Sequence, residues 1–69
     1  MDRKPVKSSN IKSVGYDAAT RKMHVEFSSG GVYEYDGVEP SDHASFVHDS
    51  SPGGHFAKHI RPKFKGKKL

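Results

Sequence analysis

The sequence predicts an α+β domain: a three-stranded antiparallel meander followed by two short helices packed on one face, with a basic C-terminal tail. Three observations lead there. Residues 22–27, KMHVEF, alternate apolar and polar side chains with period two, as in a sheet that is wet on one face. The apolar runs on either side are separated by Gly, Ser and Asp, the residues of tight turns. After Val38 the punctuation changes to Pro40 and Pro52, each followed by apolar residues at helical spacing.

The first strand is expected from about Ile11 to Tyr16, with Val14 and Tyr16 on one face and Gly15 marking a close approach or a bulge. Asp17 to Arg21 makes the first turn. The second strand carries Met23, Val25 and Phe27 on one side and His24 and Glu26 on the other. The third is GVYEYD, and its two tyrosines share a face whose identity depends on the loop before it. A two-residue turn at Ser29 and Gly30 would pair Tyr33 with Glu26 and leave both rings wet. A three-residue loop, Ser28 to Gly30 with Gly30 in the left-handed region, pairs Val25 with Tyr33 and Met23 with Tyr35. The second register collects every large apolar side chain of both strands except Val32 on one side, so it is the expected one.

Pro40 suits a first helical position, Asp42 favours the positive helix end, and Ala44, Phe46 and Val47 supply a stripe ending near Asp49. Ser51 and Pro52 open a second helix that lays Phe56 and Ile60, spaced i and i+4, on the sheet until Pro62 stops it. For Gly53 and Gly54 a flexible loop is the alternative.

At 69 residues there is room for one small core. The expected division is a flexible N-terminus at 1–5, a folded domain at 6–64 and a basic flexible tail at 65–69. With no cysteine, neither a disulfide framework nor a thiolate metal site is available, and a reducing, cytoplasmic setting is the simpler expectation. No window approaches the roughly 18 apolar residues of a membrane span, so no membrane partner is expected. The net charge of +4 is a property of the tail. Residues 1–57 hold six basic and eight acidic side chains, whereas Lys58, Arg61, Lys63, Lys65, Lys67 and Lys68 follow with no acid among them. Such a segment is either a solubilising extension or a contact for a polyanion.

The segments PVKSSNIKSVGYD, HVEFSSGGVYEYDGVEP and SPGGHFAKHIRPKF together resemble the KTSC family over residues 6–64. This is a small domain named after its occurrence at the C-terminus of some lysyl-tRNA synthetases and found more often as a free-standing bacterial or phage protein. Val6, Ser8, Ser9, Ile11 and the run from Val14 to Asp17 match its opening, Tyr33 and Tyr35 its central Y-x-Y, and Ser51, Gly53, Phe56, Ile60 and Arg61 its close. The resemblance implies no established activity; RNA binding has been suggested from the attachment to a synthetase, which is association rather than mechanism. The chain departs from the family at Ala57, where Asn is frequent, and at His43 and Ala44, where aliphatic and aromatic residues are usual.

A catalytic role finds no support in the motifs, and no cofactor is expected. His55 and His59 have the spacing of a helical zinc pair, but Phe56 stands where a zinc hydrolase needs its glutamate, so the histidines are expected to hold no metal. The serine pairs lack a nucleophile elbow or a base and suit turns and caps. Two readings follow. In one, the domain binds nucleic acid, preferably RNA, with Lys58, Arg61, Lys63, Lys65, Lys67 and Lys68 on phosphates and Phe64, or His55 and His59, stacked on bases. In the other, a sheet edge or helix face docks to a larger protein. Exposed rings within reach of the basic segment favour the first; buried rings and a flat open edge favour the second.

Overall fold

The loop at Ser28–Gly30 decides the architecture, and it takes the longer of the two forms. In the computed structural model, which describes residues 2–69, Gly30 has φ +97° and its amide donates to the Phe27 carbonyl. Strand β3 (Lys22–Phe27) therefore pairs with β4 (Val32–Tyr35) as Val25 with Tyr33 and Met23 with Tyr35. Strand β2 (Ile11–Asp17) runs antiparallel on the other side of β3 and sets Val14 against Val25 and Tyr16 against Met23. The large apolar residues of three strands, Val32 excepted, thus fall on one face, while Ser13, His24, Glu26, Val32 and Glu34 lie on the other.

The sheet is larger than three strands. Arg3–Pro5 (β1) pairs with β2 and Gly66–Lys68 (β5) with β4, giving five strands in the order β1-β2-β3-β4-β5, all antiparallel. Both additions lie in segments expected to be flexible, RKP and GKK, which have no apolar alternation to mark them. They join the sheet through backbone hydrogen bonds, which need no particular side chain. Residue 1 of the expected N-terminal segment lies outside the described residues. The irregularity of β2 also differs from expectation. It falls at Lys12, between Ile11 and Ser13, and Gly15 is a regular ladder residue opposite His24.

Helix α1 (Pro40–His48) starts at its proline, as expected, with the Glu39 amide donating to Asp42 Oδ2 at 3.3 Å. Its inward stripe is His43, Phe46 and Val47, and Ala44 is exposed. His43 replaces it by stacking on Tyr16, with ring centroids 4.5 Å apart and planes 10° from parallel. The Tyr16 hydroxyl in turn donates to the Val38 carbonyl and ties the β4–α1 connection to the sheet.

Gly53 and Gly54 are helical. Helix α2 (Pro52–His55) runs directly into a π-helical turn, Phe56–Ile60, closed by the Arg61 amide donating to the Phe56 carbonyl at 2.9 Å. A β-carbon on Gly53 would come within 3.0 Å of Ser8 Oγ, so the glycine lets this helix approach the loop before β2. Phe56 and Ile60 both reach the core. They complete a cluster with Ile11, Val14, Met23, Val25, Tyr35, Val38 and Phe46, against which Val6, Tyr16, Phe27, Tyr33, Val47 and Phe64 pack. No helix among the described residues is long and apolar enough to cross a membrane.

Candidate nucleic-acid interface

The two tyrosines of β4 share the core face without sharing its burial. Tyr35 is 5% exposed and lies edge-to-face against Phe56, with centroids 5.5 Å apart. Tyr33 is half-buried. One pleat, about 7 Å, separates them along the strand, and over that distance the helical layer gives out. Tyr33 and Phe27, also half-buried, form an edge-to-face pair at 5.5 Å, and Phe27 makes another with Phe56 at 5.3 Å. Beyond these rings the end of the core is open.

That opening is a cleft of about 320 Å³ lined by Phe27, Ser29, Gly30, Tyr33, Tyr35, Phe56 and Arg61. No carboxylate lines it. The π-helical turn explains why Arg61 is there. A hydrogen bond from residue i+5 to residue i widens the helical turn by one residue, so Arg61 shares the cleft with Phe56 while Ile60 stays in the core. Burial, and then the neighbouring Tyr33, hold the Tyr35 hydroxyl above the usual phenol range, with Arg61 acting against them. The phenol is therefore a hydrogen-bond donor at neutral pH.

Among the basic residues expected to bind nucleic acid, Lys58, Arg61, Lys63, Lys65, Lys67 and Lys68 are all exposed, and Phe64 is half-buried. They do not form one surface. Within β5, Lys68 is opposite Tyr33 and Lys67 opposite Glu34, so alternation sends the two lysines to different faces of the sheet. Lys68 lies with Arg61 on the aromatic side, its stem 3.8 Å from where a β-carbon on Gly31 would stand. Lys63 reaches toward Asp42 at 3.5 Å and lies over the Phe64 ring, 5.3 Å from its centroid. Phe64 is thus occupied by the core and its own neighbour. Tyr33 and Phe27, assigned to the core on sequence grounds, offer the open rings; the signal pointing to them is their place beside the Ser-Ser-Gly-Gly loop, at the strand ends where helix cover stops.

The opposite face carries ion pairs. His24 Nε2 donates to Glu34 Oε2 at 2.8 Å, and Lys22 approaches the same carboxylate at 3.6 Å. The His24 hydrogen bond is the main cause of a lowered Glu34 pKa. His55 Nδ1 donates to Asp49 Oδ2 at 3.1 Å and its ring lies 4.7 Å from that of His59. Among the described residues no three His, Cys, Asp or Glu side chains are grouped to hold a metal. Ser8 Oγ accepts from the Asn10 amide at 3.2 Å, a turn role.

Comparison with known proteins agrees with this architecture. The family model described as KTSC domain matches residues 7–64. A crystal structure of a KTSC domain protein from Yersinia pestis superposes with a TM-score of 0.94 at 38% identity, covering 99% of this chain and 96% of that one. An uncharacterized protein of Stutzerimonas stutzeri is 36% identical over 63 residues, 91% of this chain and 89% of its own. A lysine–tRNA ligase of Nostoc punctiforme is 42% identical over 59 residues, which are 86% of this chain but 10% of the ligase. A second ligase, from Trichormus variabilis, is 37% identical over a stretch of the same length.

Proposed function

Because this chain belongs to the KTSC domain family, we propose that it is a non-catalytic module that binds single-stranded nucleic acid, RNA in preference, through its C-terminal basic segment and the aromatic cleft beside it. The observation that carries this reading is the conjunction of half-buried Tyr33 and Phe27 with Arg61 and Lys68 on one face. Stacking rings beside phosphate-binding cations is the arrangement by which proteins hold unpaired bases. The similarity to a stretch of two lysine–tRNA ligases, enzymes whose substrate is an RNA, supports the same direction.

Docking to a protein by adding a strand to the sheet is the weaker reading. The two outer strands have three residues each; one ends in Pro5 and the other carries Lys67 and Lys68. Short edges with proline and lysine resist pairing with another strand.

Fluorescence anisotropy with a labelled single-stranded RNA tests the proposal. Four phosphate contacts give a log-log salt slope near −3, from about −0.7 per contact. Absence of binding even at low salt overturns it, and a partner that survives nuclease treatment of a cell-extract pull-down then favours protein docking.

A further inference from the structure

We infer that the cleft between the Ser28–Gly31 loop and the π-helical turn is a seat for one nucleotide unit, its base against Tyr33 and Phe27 and its phosphate on Arg61. The inference rests on the nucleic-acid reading and specifies where a base would sit. Its volume, about 320 Å³, lies at the lower end of the range for small-molecule sites, roughly 300–1,000 Å³. Its lining combines apolar ring surface with one cation and no acid, which suits a ligand that is aromatic at one end and anionic at the other.

A second observation comes from Tyr35. The Tyr16 hydroxyl donates to Val38, but the Tyr35 hydroxyl has no hydrogen-bond partner among the described residues. No buried side-chain oxygen among those residues lacks a partner, so this hydroxyl keeps contact with solvent although its residue is 5% exposed. Tyr35 is one of the residues that line the cleft, with Arg61 close enough to act on its hydroxyl. A donor without a partner on a residue of the lining can fix the orientation of a ligand whose remaining contacts are stacking. The loop leaves the mouth clear. Ser29 and Gly30 are exposed, and the space where a β-carbon on Gly30 would stand is empty to 4 Å.

The test uses the full chain, the 5′-monophosphates of adenosine and uridine, inorganic phosphate, and a six-nucleotide uridine RNA, each followed by NMR. The expected result is saturable shifts of the Phe27, Tyr33, Tyr35 and Arg61 signals with the mononucleotides and the RNA, and not with phosphate. Tyr35→Phe and Arg61→Gln change an oxygen and an exposed charge, so both variants keep the fold. Arg61→Gln weakens mononucleotide binding by about tenfold or more, as loss of a charged hydrogen bond does, and Tyr35→Phe weakens it by a smaller factor. RNA binding undiminished in both variants overturns the seat while the nucleic-acid reading stands. Mononucleotide binding without RNA binding upholds the seat and overturns that reading, and shifts confined to Lys63–Lys68, or equal binding of phosphate alone, overturn the seat.

Discussion

The Tyr35 ring fills the space where a side chain on Gly66 would stand. A β-carbon at position 66 would lie 2.7, 2.8 and 2.9 Å from the ring's Cε1, Cζ and Oη, and the two residues are opposite each other in the β4–β5 ladder. An aromatic ring covering a cross-strand glycine stabilises the pair through contact that the glycine cannot supply.

Gly66→Ala is therefore expected to destabilise the protein by about 1 to 3 kcal/mol, the usual range for overpacking. Tyr35→Ala removes a buried aromatic and costs about 3 to 5 kcal/mol. The double variant is less destabilised than the sum, because the alanine at 66 then meets no ring. Chemical denaturation of the three proteins measures this, and strict additivity would show that the ring and the glycine are not in contact.

Charge and stability separate by substitution and not by truncation. Removing residues 65–69 takes β5 away from the sheet, so it is expected to lower stability as well as binding. Changing Lys65, Lys67 and Lys68 to Gln keeps the strand's backbone pairing. If all three touch phosphate, the salt slope for single-stranded RNA becomes shallower by about 2, with unfolding free energy within roughly 0.5 kcal/mol of the parent. An unchanged slope would remove these lysines from the interface.

Histidine 43 gives the fold a pH dependence. Burial, and then His48, lower its pKa below the ordinary value of 6.5. Tyr16 stacks on its ring, and Lys4 and Lys7 share the hollow beside it with His48. The unfolded chain takes up this proton before the folded one does, so stability falls as pH drops through the ordinary histidine range and levels off below the folded pKa. His43→Phe keeps a ring on Tyr16 and removes the titration. Thermal melts of both proteins from about pH 7.5 to 5.5 are expected to show a smaller decline in the variant. Glu34, with its lowered pKa, loses its contribution only below this window, as pH falls through the carboxylate range.

Zinc is expected to bind weakly and without saturation. His55 is engaged by Asp49, and the pair with His59 lacks further ligands among the described residues. A calorimetric titration showing one-to-one micromolar binding that His59→Ala abolishes would contradict this.

The register of β3 and β4 was legible in the sequence because only the three-residue loop puts the apolar residues together, and Gly30 supplies the left-handed conformation that loop requires. The position of Phe56 and Ile60 was legible for the same kind of reason. The outer strands were not, since RKP and GKK are exposed on both faces and pair through backbone alone. The proposed site was half legible. Its cations stand out as a charge run, but facing the core and being covered by it are different properties, and Tyr33 has the first with only part of the second. Nothing in the period of a strand reports where the opposing helix ends.

The sheet order also has a temporal meaning. Strands β1 to β3 are each paired with the next in sequence through short connections, whereas β5 reaches β4 only after about thirty intervening residues. Joining ends that far apart is entropically dearer than closing a five-residue hairpin, by about 1.6 kcal/mol on a logarithmic length dependence. The last strand is accordingly expected to dock late in folding and to open early in native-state hydrogen exchange. Leu69, whose amide donates to the Val32 carbonyl at 2.8 Å, lies where that fraying starts.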